Sequence, residues 1–121
     1  SDLKLCTIRM IDNAKFPWII LIPKRRGVTD ITALKKNDRF QLIEEIVHCS
    51  NIMKKTFKTS LLNVEKIGNI VPQLHIHIIA RKKPDSTWHL PLWVAKSKSY
   101  TKKELNSNLE KIQKAFTKKK R

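Results

Sequence analysis

The stretch from Val71 to Arg81 constrains the fold more than any other part of the chain. Apolar and polar side chains alternate along it, which is typical of a β-strand whose two faces meet different surroundings. Gln73, His75 and His77 share the polar face. Because each strand residue advances about 3.3 Å, the two imidazoles are expected about 6.6 Å apart, within reach of one phosphate or one metal ion. The sequence therefore predicts a strand that carries chemistry on one face.

Three further segments have the hydrophobic pattern of strands. Residues 3–11 alternate, and residues 18–22 form an apolar run between two prolines, so together they predict a hairpin with a buried second strand. A third strand is expected at residues 59–64. With the histidine strand and the helices predicted below, this pattern indicates an α+β domain with a mainly antiparallel sheet.

Two helices are predicted after and between these strands. Apolar residues recur at spacings of three and four over residues 40–57, which indicates a long amphipathic helix that Asp38 caps. The positions expected to face the core are Phe40, Ile43, Ile46, Val47, Ser50, Met53 and Phe57. Thr101 and Glu104 form a capping box that begins a terminal helix ending at about Phe116.

Length and composition predict one domain over residues 1–121, with residues 118–121 as a disordered basic end. No apolar run approaches the roughly 18 residues that cross a bilayer, and the first residues do not resemble a signal peptide. We therefore expect a cytoplasmic protein without a membrane partner. Cys6 and Cys49 are too few for a disulfide framework, so both are expected to be reduced and buried.

The formal net charge of +16 is the extreme value in the composition. It favours polyanionic partners, including nucleic acid and phosphorylated small molecules. However, the lysines are scattered over every segment, without the clustered arginines and interleaved aromatic residues of a dedicated nucleic-acid surface, and a lysine-rich composition bias would give the same charge. Nucleic-acid binding is therefore possible but not favoured, while electrostatic steering of nucleotides is expected.

The histidine strand also resembles the signature of the histidine triad (HIT) family, His-x-His-x-His followed by two apolar residues. The matching positions here are Gln73, His75 and His77, followed by two isoleucines. The run from Phe16 to Lys24 looks like the family's apolar strand ending in a proline, and the segment 88–93 resembles the tryptophan-containing tail of several members. The resemblance implies a HIT-like fold with a five-stranded sheet, one long helix and a C-terminal helix, usually within a homodimer.

The resemblance also implies roles for individual residues. His75 matches the family nucleophile that attacks the α-phosphorus of a nucleotide. His77 would bind the phosphate and the bridging oxygen and could assist the leaving group. Gln73 stands where the family has its first histidine, and an amide can neither carry a positive charge nor transfer a proton. Contacts to ribose or phosphate are implied for Asp12, Asn63, Gly68 and Asn69. No metal is implied in the chemical step, although a polyphosphate substrate can carry Mg²⁺.

Together with the histidine strand, the resemblance implies a nucleotide phosphohydrolase or nucleotidyl transferase that acts at the α-phosphate of a dinucleoside polyphosphate or a related conjugate. A neutral imidazole suits the nucleophile because its ordinary pKa of about 6.5 lies near neutrality. The sequence leaves open whether the bond that breaks is a phosphoric anhydride or a phosphoramidate bond.

Two alternatives come from other functional classes. A zinc site built on His75 and His77 needs at least one further protein ligand, and the remaining cysteines and histidines show no ligand spacing. A non-catalytic module that binds nucleotide or nucleic acid is favoured by the charge and by Gln73.

Overall fold

The computed structural model describes residues 1–68, 70–83, 88, 90–94 and 98–119. The strands are β1 (Cys6–Met10), β2 (Trp18–Pro23), β3 (Leu61–Glu65) and β4 (Ile76–Arg81). The helices are α1 (Lys36–Phe57) and α2 (Lys102–Lys119), with single 3-10 turns at Ile31–Ala33 and Leu92–Val94.

The four strands form one antiparallel sheet in the order β1-β2-β4-β3. The two central strands are the most apolar and β-branched segments of the chain, as expected for strands covered on both faces. This arrangement confirms the predicted α+β domain with a mainly antiparallel sheet. The sheet has four strands in the described part of the chain where five were expected.

The histidine segment enters the sheet later than the alternation suggested. β4 begins at Ile76, so Gln73 and His75 precede the strand. The N–H of Leu74 donates to the carbonyl of Val28 at 2.9 Å, a loop partner rather than a strand partner. The side chains nevertheless keep their alternation, because Leu74 and Ile76 are buried in the main core while His75 points away from it.

The main hydrophobic core lies between one face of the sheet and the two helices. It joins residues of β1, β2 and β4 to Leu42, Cys49, Ile52 and Met53 of α1 and to Ile112 and Phe116 of α2. A second, smaller cluster lies on the other face of the sheet and consists of Phe16, Trp18, Ile79 and Leu92. The sheet therefore has one face covered by helices and one face that carries the small apolar cluster and the histidines.

The predicted core face of α1 was wrong for three of its residues. Phe40, Ile43 and Val47 are each more than half exposed. The buried face of the helix includes Glu45, whose two carboxylate oxygens accept the N–H groups of Leu5 and Cys6, both at 2.8 Å. A hydrophobic pattern cannot find that face, because a charged residue at its centre is buried only through its hydrogen bonds.

The start of α1 differs from the prediction, and the start of α2 agrees with it. Asp38 does not cap α1, because the helix begins at Lys36 and the Asp38 carboxylate instead pairs with the Arg25 guanidinium at 2.7 and 2.9 Å. The capping box of α2 is confirmed by reciprocal bonds between Thr101 and Glu104 at 3.2 and 3.3 Å. The helical backbone continues through residues 118 and 119 of the end predicted to be disordered, and residues 120 and 121 lie outside the described part.

Both cysteines are free and buried, as predicted. Burial raises the pKa of the Cys49 thiol to about 12, and burial together with the nearby Glu45 carboxylate raises the pKa of Cys6 further. Both thiols are therefore protonated packing groups. None of the helices in the described ranges is long and apolar enough to cross a membrane.

Candidate active site

The polar groups of the site lie on the face of the sheet opposite α1. His77 in β4 pairs with Glu65 in β3, and Asn63 pairs with Ile79, which in turn pairs with Trp18 in β2. Since residues that pair directly share a face of the sheet, these side chains all project to the side of the smaller apolar cluster. The register therefore brings a histidine, a carboxylate, an amide and an indole together from three strands.

His77 is 6 % exposed and receives a hydrogen bond from Trp18, whose Nε1 lies 3.0 Å from His77 Nδ1. An indole N–H can only donate, so Nδ1 is the acceptor and the neutral ring carries its proton on Nε2. Burial lowers the pKa of His77 below its usual value of 6.5, and the neighbouring His75 lowers it further, against an opposing effect of Glu65. His77 is therefore a neutral hydrogen-bond donor at neutral pH.

His75 has the opposite hydrogen bonding. Its Nδ1 lies 2.7 Å from the backbone carbonyl of Gln73. A carbonyl oxygen can only accept, so Nδ1 of His75 carries the proton and Nε2 keeps a free lone pair. The half-buried ring thus presents a nucleophilic nitrogen.

The two imidazoles form an edge-to-face pair with ring centroids 4.8 Å apart and an angle of 74° between their planes. One ring offers a lone pair and the other offers an N–H. A phosphate that lies against both rings could be attacked at phosphorus by His75 while one of its oxygens accepts a hydrogen bond from His77. This combination is what a nucleotidyl-transfer step requires of its nucleophile and its charge-stabilising donor.

Trp93 forms one wall of the site, which the sequence did not establish. Its indole stands edge-on to His77 at 5.1 Å and to Trp18 at 5.2 Å, and its Nε1 donates to a Glu65 carboxylate oxygen at 2.7 Å. The ring is still 45 % exposed, so an aromatic surface borders the histidines. The sequence showed only that the segment 88–93 resembles the tryptophan-containing tail of several family members, whereas the structure places Trp93 beside the histidines.

Gln73 contacts His75 through its main chain. Its side-chain Nε2 lies 3.4 Å from the Pro23 carbonyl, while its own backbone carbonyl orients His75. The two histidine rings thus contact each other, and Gln73 contacts His75 through its main chain. The catalytic roles of these three residues stay predictions.

The predicted substrate-binding residues lie in different places. Asn63 shares the site face and its Nδ2 is 3.4 Å from Glu65, whereas the Asp12 carboxylate accepts the N–H of Tyr100 at 2.6 Å and ties the β1–β2 loop to the segment before α2. A Cβ at Gly68 would meet only the Lys66 Nζ at 3.8 Å, so the backbone there does not require glycine. Asn69 lies outside the described residues, and the substrate roles of all four stay predictions.

In the described part of the chain, no three or more His, Cys, Asp and Glu side chains are grouped to hold a metal ion. His75 and His77 by themselves fall short of the three protein ligands that a zinc site needs.

Comparison with known proteins confirms the HIT-like fold expected from the sequence. The family model described as the HIT domain matches residues 1–84. A histidine triad protein from Bradyrhizobium japonicum is 34 % identical with a TM-score of 0.91, over 95 % of this chain and 87 % of its own. A histidine triad protein from Marinobacter aquaeolei is 30 % identical with a TM-score of 0.91, over 97 % of this chain and 86 % of its own.

A third solved structure, a histidine triad protein from Sinorhizobium meliloti, is 30 % identical with a TM-score of 0.90 and covers 95 % of this chain and 86 % of its own. No match was found among curated proteins. From the extent of the family match and these structural likenesses, the chain belongs to the histidine triad (HIT) domain family.

Proposed function

We propose that this HIT-domain protein hydrolyses or transfers nucleotides at the α-phosphate of a dinucleoside polyphosphate or a related conjugate, with His75 as the nucleophile. The family includes nucleotide hydrolases and transferases. The observation that carries the proposal is the opposite hydrogen bonding of the two histidines, which leaves a lone pair on His75 and an N–H on His77.

The reaction proceeds in two displacements at phosphorus. The Nε2 lone pair of His75 forms a bond to the α-phosphorus, and the bond from phosphorus to the leaving group breaks with its electron pair on the leaving atom. The nucleotidyl-imidazolium that results keeps its proton on Nδ1 and donates it in a hydrogen bond to the Gln73 carbonyl, which stabilises the positive charge. Water then attacks the phosphorus, the electron pair of the P–N bond returns to Nε2, and the proton of the water passes to solvent.

Other groups bind the substrate. His77 donates its Nε2 proton in a hydrogen bond to a phosphate oxygen, and Asn63, Gly68, Asn69 and Asp12 serve as the ribose and phosphate contacts that the resemblance implies. The net charge of +16 steers anionic nucleotides towards the protein, and Mg²⁺ enters with the substrate. We expect a homodimer in the cytoplasm.

The test is turnover of a dinucleoside polyphosphate and of an adenosine phosphoramidate by the unchanged protein, by His75→Ala and by His48→Ala. His48 is the matched control because it lies on α1 and packs against Phe116, in the main-core layer rather than at the site. We expect His75→Ala to lose at least about a thousandfold in kcat/KM and His48→Ala to keep its activity. Equal activity of His75→Ala and the unchanged protein would overturn the proposal.

A second candidate is a nucleotide-binding module without catalysis. Gln73 favours it, since an amide in the first triad position removes one group that can exchange a proton. This candidate predicts that nucleotides bind with measurable affinity while neither compound turns over.

A further inference from the structure

Trp18 is fixed in place directly behind His77. Its side chain is 8 % exposed and packs in the small cluster with Phe16, Ile79 and Leu92. Its Nε1 reaches Nδ1 of His77 at 3.0 Å. Rotating a buried indole that is packed on several sides would disrupt that packing, so its N–H keeps its position in the site.

This N–H restricts the protonation states that His77 can adopt. A protonated imidazole carries a hydrogen on both ring nitrogens, so Nδ1–H would face the indole N–H with no acceptor between them. The alternative neutral tautomer, protonated on Nδ1, meets the same obstacle. The ring is therefore held neutral with its proton on Nε2, and in that form it can donate a hydrogen bond but has no proton to give up without becoming an anion.

The other titratable groups facing His77 do not replace this missing acid. His75 uses Nε2 as the nucleophile, and its Nδ1–H donates a hydrogen bond to the Gln73 carbonyl. Glu65 lies opposite His77 in β3, and its two carboxylate oxygens accept hydrogen bonds from Trp93 and Asn63. Among the described residues that contact the two rings, no side chain is poised to protonate a leaving group.

We propose that Trp18 is a positioning residue that holds His77 as a neutral Nε2–H donor, and that the site therefore prefers leaving groups that depart as stable anions. A phosphoric anhydride meets this requirement, because its P–O bond breaks with the electron pair on an oxygen of a phosphate or nucleotide that is already stable as an anion. The phosphoramidate of an alkylamine does not, because its nitrogen must gain a proton before the P–N bond can break. The preference rests on the proposed function, whereas the hydrogen bond can be tested without turnover.

The state of His77 can be read by nuclear magnetic resonance with the histidine and indole nitrogens isotopically labelled. We expect Nδ1 of His77 to be unprotonated, Nε2 to be protonated, and a scalar coupling to connect Nδ1 with the Trp18 indole nitrogen. His77→Ala assigns the signals. A protonated Nδ1 in the unchanged protein would overturn the proposal, and this result does not depend on any variant's folding.

Trp18→Phe keeps an aromatic ring but removes the indole N–H. We expect His77 in this variant to sample both neutral tautomers and to protonate at a higher pH. Trp93→Phe is the matched control, since it removes an indole N–H from the same ring cluster that is donated to Glu65 rather than to His77. An unchanged His77 tautomer in Trp18→Phe, or equal changes in both variants, would contradict the role of Trp18.

The substrate preference is measured with a dinucleoside polyphosphate, an alkylamine phosphoramidate of adenosine and a series of aryl esters of the same nucleotide with graded leaving-group pKa. We expect the unchanged protein to prefer the polyphosphate by at least about 100-fold in kcat/KM, the usual contribution of general acid catalysis, and the aryl series to slow steeply as the leaving group becomes more basic. In Trp18→Phe the series should become flatter, since a protonated His77 can then act as an acid.

The outcomes separate the two proposals. Faster turnover of the phosphoramidate than of the polyphosphate, lost in His75→Ala, would keep the proposed function and overturn the preference alone. No turnover of any compound would overturn both the preference and the proposed hydrolase, with the resonance experiment still deciding whether Trp18 fixes His77.

Discussion

His75 and His77 are the same residue type two positions apart, yet their rings have opposite hydrogen-bonding states. The Nδ1 atom of His75 faces a backbone carbonyl, and the Nδ1 atom of His77 faces an indole N–H. One partner that only accepts and one that only donates are enough to leave a free lone pair on Nε2 of the first ring and an N–H on Nε2 of the second. The comparison shows that the hydrogen-bond partner of each ring, and not the histidine itself, sets its tautomer.

The largest effect on activity that tests this comparison is expected from His77→Ala, measured together with His77→Gln. Loss of one preorganised donor to a phosphate oxygen should lower kcat by about 10²–10³-fold in the alanine variant. Glutamine still carries N–H groups, so it should recover part of the loss, which steady-state kinetics can measure. Equal rates for the two variants would indicate that His77 transfers a proton rather than donating a hydrogen bond.

A smaller effect is expected from Glu65→Gln, which keeps an oxygen acceptor for Trp93 but removes the negative charge opposite His77. Because Glu65 raises the pKa of His77 against burial, that pKa should fall further in the variant. The change at the Trp93 contact, from a charged to a neutral acceptor, is expected to alter kcat/KM by no more than about tenfold, since it weakens a single hydrogen bond. A pH titration of the His77 ring signals checks the direction, and a rise in its pKa would contradict it.

The smallest effect concerns the dependence of stability on pH. The folded state lowers the pKa of His77, so below the unfolded value of about 6.5 the unfolded chain binds more protons at this residue than the folded protein does. The contribution of His77 to the free energy of unfolding is therefore lost as pH falls from about 6.5 towards its lowered pKa.

Thermal unfolding of the unchanged protein and of His77→Gln, followed across this range, measures that contribution. The melting temperature of the unchanged protein should fall more steeply with acid than that of His77→Gln. Parallel curves would mean that His77 has an ordinary pKa in the folded protein.

Much of the fold was predictable from the sequence because it depends on local patterns. The alternation around His75 and the apolar run of β2 placed both central strands, and the Thr101–Glu104 capping box placed the start of α2. The core face of α1 was not predictable in the same way, because Glu45 is buried by hydrogen bonds to Leu5 and Cys6, which lie 40 and 39 positions away in the chain. Asp38 was misread for a similar reason, since its partner is Arg25 and not the helix end.

The site was predictable only in its residue types. Sequence spacing brought His75 and His77 together on one face, but the tautomer of His77 depends on Trp18, which is 59 positions away in the chain. In the sequence Trp18 is an apolar residue of a buried strand, and a hydrophobic pattern does not show that its indole N–H has a specific hydrogen-bond partner. Trp93 lies in a segment without helical or strand period, and a pattern of that kind cannot place it beside His77.

The most direct test of the account is the stereochemical course at phosphorus. A nucleoside α-thiophosphate anhydride of single configuration, hydrolysed in water labelled with heavy oxygen, gives a product whose configuration records the number of displacements. Attack by His75 followed by attack of water inverts phosphorus twice, so the account predicts net retention. Net inversion would show that water attacks the substrate directly, and would contradict a nucleophilic role for His75.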